Sequence, residues 1–187
     1  MINPLAARRQ VLLIDNAGVG RSGGEIPTNF DQVVDNYVNI ITALGYKHID
    51  LLGYSMGSSI AQLFALKVPR MVKHLVLCAA LPSYGEGVVS GSPTAFAKLK
   101  DAETEAEQRD AFVSTFFTDS KTSQAAGAKS WERIIKARRN RCSHVERDAA
   151  RNQGQASAAY FDPMQAQHGS YNRLQELKMP VLVANGR

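Results

Sequence analysis

Gly53-Tyr54-Ser55-Met56-Gly57 stands between the apolar run Ile49, Leu51, Leu52 and the small-residue stretch Ser58-Ser59-Ile60-Ala61-Gln62-Leu63-Phe64-Ala65-Leu66. A serine therefore falls where a strand gives way to a helix, in the G-x-S-x-G pattern of a nucleophile elbow. Such a turn forces the serine into strained backbone geometry, and side chains at the flanking glycine positions are expected to collide with the adjoining strand and helix. The turn pushes the hydroxyl outward, and the first free N–H groups of the helix point back at it, Met56 among them. The same five letters also fit an ordinary Ser-Gly turn. The surroundings favour the elbow: an apolar run precedes it, Ile60, Leu63 and Phe64 recur at helical spacing after it, and Pro69 stops the helix before Leu75 to Ala80.

Outward from this point the pattern alternates strand and helix. Gln10 to Asp15 reads as a buried strand, Phe30 to Leu44 as a helix capped by Thr28 or Asn29, and Lys47 to Gly53 as the strand leading into the elbow. Ser55 to Val68 reads as the elbow helix, Lys73 to Ala80 as a third strand, and Met179 to Ala184 as a fourth. Strands of continuous hydrophobicity separated by helices imply an α/β fold with a mostly parallel sheet and helices on both faces. Between Ser83 and Gly169 the pattern is a Gly/Ser-rich loop followed by helical spacing alone. Phe96 and Leu99, then Phe112, Phe116 and Phe117, then Trp131, Ile134 and Ile135 fall on inward helix faces. Three segments result: residues 1–82 as the first part of a core, 83–170 as an inserted helical cap over the carboxyl edge of the sheet, and 171–187 as the last core strand.

The 187 residues, 44% of them hydrophobic, suffice for one sizeable core. No apolar stretch approaches the roughly 20 residues of a membrane span and the start lacks the order of a secretion signal, so a soluble cytoplasmic protein is the default expectation. Cys78 and Cys142 lack C-x-x-C spacing and are read as free thiols, with neither disulfide nor metal site. The formal charge of +5 is concentrated in Arg133, Lys136, Arg138, Arg139, Arg141, Arg147 and Arg151. Glu132, Glu146 and Asp148 interrupt that run and no aromatic residues interleave it, so it reads as a solvated helix face and not a nucleic-acid site. Gly18-Val19-Gly20-Arg21-Ser22-Gly23 satisfies G-x-G-x-x-G after a predicted strand. Gly24-Glu25-Ile26-Pro27 intervenes before the next helix and Asp15 would repel a phosphate, so a sheet-crossing loop is the better reading and no cofactor is assigned.

Three blocks taken together, Asp15-Asn16-Ala17-Gly18-Val19-Gly20-Arg21-Ser22, Gly53-Tyr54-Ser55-Met56-Gly57 and Met179-Pro180-Val181-Leu182-Val183-Ala184-Asn185-Gly186, resemble the α/β-hydrolase superfamily in its AB hydrolase-1 serine type. The resemblance implies a Ser-acid-His triad, an oxyanion hole and a small-molecule acyl substrate. It also implies strands before the one resembling the family's fourth, and an acid and a histidine after the last block. None of these has a counterpart between Met1 and Arg187, which reads as a chain truncated at both ends. His48 and His74 open parallel strands while Ser55 ends one, about 15 Å away at strand spacing. His144 and His168 lie in or near the helical segment, and Glu86 follows the third strand; surface or loop roles are the simpler reading for all three.

The sequence thus points to a partial α/β-hydrolase fold with Ser55 as nucleophile of an ester or related acyl hydrolysis and the Met56 N–H as oxyanion donor. Phe96, Phe112, Phe116, Phe117 and Trp131 either line an apolar acyl pocket or form core. The rival reading is a non-catalytic protein that keeps part of the fold without the triad.

Overall fold

The computed structural model describes residues 2–89, 97–99, 101–137 and 147–186. It divides into two compact units, Met1–Val88 with His144–Arg187, and Val89–Ser143. Phe96, Cys142, His144 and the arginines at 138, 139 and 141 lie outside the described residues.

The first unit is built on three parallel strands in the order β1-β2-β3. These are β1 (Ile49–Tyr54), β2 (Val72–Cys78) and β3 (Val181–Ala184). Its helices are a short α1 (Ile2–Ala6), α2 (Phe30–Ala43), α3 (Met56–Lys67) and α6 (Arg147–Tyr160), with 3-10 turns at Pro69–Met71, Pro163–His168 and Tyr171–Glu176. The helices begin and end where the local chemistry dictates. The Asn29 side chain accepts the Gln32 N–H at 2.9 Å and so caps α2. Gly45 turns the chain out of that helix at a φ of +78°. Pro69 lacks the N–H that another α-helical turn would need, and α3 stops at Lys67.

Strand periodicity sorts the sheet into two faces. Leu51, Gly53, Leu75 and Leu77 lie on the face that α3 covers, in the register Leu51↔Leu75 and Gly53↔Leu77. Asp50, Leu52 and Tyr54 lie on the other, opposite His74, Val76 and Cys78. On that second face Leu52, Tyr54 and Leu182 remain exposed, and every residue of β3 is exposed. The core between sheet and helices consists of Phe30, Val33, Val34 and Ile41 from α2, Ile60, Ala61, Leu63, Phe64 and Ala65 from α3, and Val72, Leu75 and Leu77 from β2. Ala156 and Tyr160 of α6 complete it, with the Tyr160 ring 5.3 Å from that of Phe30.

Gln10–Asp15, expected as a buried strand, forms none. No backbone hydrogen bond joins it to another strand among the described residues, and Leu12 and Leu13 are exposed. Apolar composition alone cannot make a strand; the ladder needs a neighbour. The end of this segment is held instead by side chains. Ser22 Oγ donates to the Asp15 carbonyl, the Arg21 N–H donates to the Asp15 carboxylate, and Tyr37 donates to Asn16. Burial, and after it the nearby Asp15 charge, raises the Tyr37 pKa above its ordinary value.

The second unit contains α4 (Glu105–Phe116) and α5 (Lys121–Ala137). A capping box opens α4: Thr104 accepts the Glu107 N–H, and the Glu107 carboxylate accepts the Thr104 N–H. Those bonds hold the exposed Glu107 carboxyl below its usual range. The two helices close on Gly127, where a Cβ would meet the Phe117 ring at 2.9 Å and Val113 at 3.0 Å. Phe112 stacks within 5.6 Å of Trp131 and 5.3 Å of Phe116. Phe112 and Trp131 thus form the core of this unit, whereas Phe116 and Ile134 stay exposed.

Burial raises the Tyr160 pKa from 10.0 to about 12, against the smaller opposing effect of hydrogen bonds from Ser170, Ser59 and the Ser83 backbone. The unfolded chain therefore releases this proton first as pH rises. Stability is complete below about pH 10 and falls up to about pH 12, by roughly 2 to 3 kcal/mol in all. Denaturant melts at stepped alkaline pH check this, and Tyr160→Phe should flatten that part of the profile.

Candidate active site

Ser55 adopts φ 52° and ψ −125°, a left-handed conformation costing an ordinary side chain about 1 to 3 kcal/mol. The chain turns from β1 into α3 across this single residue. Three hydrogen bonds keep it there: its N–H donates to the Cys78 carbonyl at 2.9 Å, and its carbonyl accepts the Ser58 N–H at 2.7 Å and Ser58 Oγ at 2.6 Å. The first extends the β1–β2 ladder by one step; the other two bind the turn to the first turn of α3. Ser55 is exposed, and its hydroxyl makes no hydrogen bond among the described residues.

Gly53 and Gly57 differ in what they do. A Cβ at Gly53 would stand 2.4 Å from the Gly57 carbonyl oxygen and 2.7 Å from the Ser58 Cα, so only glycine lets α3 lie this close to β1. A Cβ at Gly57 would meet nothing within 4 Å. The expectation that both glycines prevent a collision is corrected at Gly57, which faces open space. Met56 and Gly57 head the twelve-residue α3, and helix geometry leaves their N–H groups without partners inside it. A hydroxyl beside two such donors and the positive end of a helix dipole is placed to add to a carbonyl whose oxygen takes negative charge.

The neighbouring strand end is strained as well. Ala79, one step past the Tyr54↔Cys78 pair, has a φ of +50°. Its N–H donates to the Ala184 carbonyl at 2.9 Å, and Asn185 pairs with both the N–H and the carbonyl of Ala80, at 2.7 and 3.1 Å. An alanine gives no sequence signal for such a conformation. The asparagine amide acts here as a further strand residue, tying β2 to β3 beside the elbow.

Gln62, Tyr160, Ser170 and Ser83 were also missed by sequence reading, and all four are buried on the unit's interior. Gln62 Nε2 donates to the carbonyls of Ser58 and Leu81, at 3.2 and 3.0 Å, while its Oε1 accepts from Ser170 Oγ at 2.8 Å. Tyr160 Oη and Ser170 Oγ are 2.7 Å apart, and the Ser83 N–H also donates to Ser170 Oγ. The sequence signal was a glutamine four residues after Ser58, among the apolar residues Ile60, Leu63 and Phe64.

The other candidates are dispersed. His74 pairs with Asp50 at 2.6 Å, and His48 lies 3.1 Å from the Arg70 carbonyl; His48 directly precedes β1 and His74 lies in the first half of β2, toward the amino ends of the strands. His74 beside it, then Arg9, hold the Asp50 carboxyl below its usual range. His168 ends a 3-10 turn, exposed and without a hydrogen bond to Ser55. Glu86 is exposed in a turn, where its carbonyl accepts from the Tyr171 hydroxyl at 3.0 Å. The loop at Gly18 and Gly20 requires left-handed backbone at both, and the next helix begins only at Phe30. Among the described residues no three His, Cys, Asp or Glu side chains are grouped to hold a metal ion, and no helix is long and apolar enough to cross a membrane.

Strand, strained serine and close-packed helix in this order define an elbow of the α/β-hydrolase kind. The family model for the alpha/beta hydrolase fold matches residues 1–187, and the chain belongs to that family. It is 32% identical over 81 residues to a putative carbamate hydrolase, RutD, of Agrobacterium fabrum, a match covering 42% of this chain and 31% of that one. Among solved structures, an alpha/beta hydrolase fold protein from Chitinophaga pinensis matches with a TM-score of 0.68 at 23% identity, over 91% of this chain and 69% of that one. An esterase from a marine microorganism matches with a TM-score of 0.60 at 16% identity, over 99% and 80%. The chain thus spans less than a third of the curated relative it matches.

The asymmetry of the glycines yields a paired expectation. Gly53→Ala should destabilise by about 1 to 3 kcal/mol through overpacking against backbone. Gly57→Ala, in open space on a helix, should leave stability unchanged or raise it by up to about 1 kcal/mol. Thermal melts of the two variants against the parent distinguish them.

Proposed function

We propose that Ser55 is the nucleophile of a serine hydrolase acting on an ester or related acyl compound. The single observation that carries this reading is the strained Ser55 at the head of α3, with its hydroxyl exposed and its carbonyl locked by Ser58. In this reading Ser55 Oγ adds to the acyl carbonyl, and the Met56 N–H donates to the oxygen as it becomes an oxyanion. The bond from the acyl carbon to the leaving oxygen then breaks, the Ser55 proton leaves with the departing alcohol, and water attacks the acyl-enzyme to release the acid and restore the Ser55 hydroxyl. A serine at this position, and not a carboxylate, sets the chemistry apart from that of family members that alkylate an aspartate. The helical segment between β2 and β3 is assigned as a substrate-selecting cap from its place in the chain.

A second reading is favoured by one observation: no described histidine is hydrogen-bonded to Ser55, and two of the four sit at the opposite end of the sheet. In that reading residues 1–187 keep the fold without turnover. We infer that this stretch by itself is a weak or inactive catalyst. Loss of the histidine from a Ser-His-acid unit lowers turnover by about 10⁶ in the subtilisin case.

Turnover of short-chain p-nitrophenyl esters tests both readings, using the 187-residue chain, its Ser55→Ala variant and a version extended in both directions along its coding locus. The expected outcome is Ser55-dependent turnover in the extended protein and little in the shorter one. No Ser55-dependent turnover in either would overturn the hydrolase assignment. Turnover by the shorter chain within about tenfold of the extended one would overturn the expected inactivity and direct attention to His168 or His144 as base.

A further inference from the structure

An apolar helix face would serve the stability of α3 as well as the one it has. Replacing a hydrogen-bonded set by apolar groups of matching shape is commonly near neutral. Yet the interior face of α3 carries Ser58, Ser59 and Gln62, all buried, among Ile60, Leu63 and Phe64. The polar groups there form one directional chain. The single Ser170 hydroxyl proton goes to Gln62 Oε1, so in the 2.7 Å contact with Ser170 it is Tyr160 that donates. With Oε1 committed to Ser170, the Gln62 amide has one orientation left. Its Nε2 must face the Ser58 and Leu81 carbonyls, and it binds both.

Those two carbonyls matter because of where they sit. Ser58 is the residue whose N–H and Oγ hold the Ser55 carbonyl. Leu81 lies just beyond Ala79 and Ala80, the strained exit of β2 beside the elbow. One buried amide therefore joins the anchor of the elbow to the strand end next to it. Two residues distant in sequence, Tyr160 and Ser170, set the orientation of that amide.

We propose that Gln62, oriented by Ser170 and Tyr160, is a positioning residue that fixes the head of α3, and with it residue 55, against the end of β2. This rests on the reading of Ser55 as nucleophile, because it assigns the buried chain a purpose in holding that side chain. Gln62 touches no substrate; it acts through Ser58. Without it the first turn of α3 shifts relative to β2, and the side chain at position 55 leaves the positive end of the helix dipole.

A thiol reports that placement without any catalytic base. Ser55→Cys in the full 187-residue chain should show a thiol pKa below the ordinary value of about 8.5, as expected at a helix N-terminus. Iodoacetamide alkylation of that position is followed against pH by peptide mapping, which separates it from Cys78 and Cys142. On this background Gln62→Met should move the alkylation midpoint to higher pH and slow the reaction at pH 7 by about threefold, the size of a helix-terminus effect. Ser170→Ala and Tyr160→Phe should move it the same way by less. Val34→Ala, a core truncation away from the chain, should lower the melting temperature without moving the midpoint. If Gln62→Met does not fold, the other two network variants decide by the same criterion.

Network variants that melt lower yet alkylate within about 1.5-fold of the Ser55→Cys parent would overturn the proposal and leave the chain a purely structural device, since that is below any helix-terminus effect. So would a Val34→Ala midpoint that moves as far as theirs. Failure of the nucleophile reading appears elsewhere, as ester turnover indifferent to Ser55→Ala, and leaves the alkylation result standing.

Discussion

The approach of α3 to β1 at Gly53 is the constraint on which the first unit depends. The backbone at Gly57 and Ser58 occupies the space where a Cβ at position 53 would stand. That contact leaves one residue, Ser55, to reverse the chain from strand to helix, and a reversal so short demands positive φ. The strain is held by bonds the same geometry supplies. The Ser58 N–H and hydroxyl both meet the Ser55 carbonyl, and the β1–β2 ladder extends one residue to take its N–H. A longer connection would relieve the serine but bury its hydroxyl's freedom in a flexible loop.

The polar chain beneath the elbow shows how such a site is set inside an apolar core. Burying an amide without partners costs about 1 to 3 kcal/mol. Gln62 escapes that cost because each of its polar atoms is engaged, and among the described residues no buried side-chain nitrogen or oxygen lacks a partner. A fully satisfied network in a low-dielectric interior is stiff, since displacing one member leaves others unpaired. The apolar core residues, Phe64 and Leu75 among them, supply cohesion but no direction. Cohesion and orientation are thus divided between apolar and polar groups of one interior.

Membership of the alpha/beta hydrolase fold family fits this division, because the family's sheet presents its chemistry at strand ends and leaves the rest of the fold to hold them. The two strained positions, Ser55 and Ala79, both follow the ends of paired strands, and Asn185 follows the third. The histidines at 48 and 74 sit at the other ends, where the Asp50 pair with His74 and Arg9 is exposed and contributes little to stability. Parallel topology alone separates these two sets of residues.

Much of this was legible in the sequence. Gly53-Tyr54-Ser55-Met56-Gly57 specified strand, turn and helix, because a short apolar run giving way to a period of 3.6 across a serine flanked by glycines admits few backbone paths. Thr28 or Asn29, and Pro69, marked helix ends because capping and proline chemistry are local, and the structure chose Asn29. What depends on a neighbour was not legible. Gln10–Asp15 has the composition of a strand and forms none, since a ladder is made by two segments and the sequence describes one. Gly57 matched Gly53 as a letter, yet only Gly53 faces backbone. Gln62 carried no reading in the sequence, because its partner Ser170 lies 108 residues away. Local backbone preference is written residue by residue; contact, burial and the direction of a hydrogen bond belong to pairs, and the tertiary structure alone brings those pairs together.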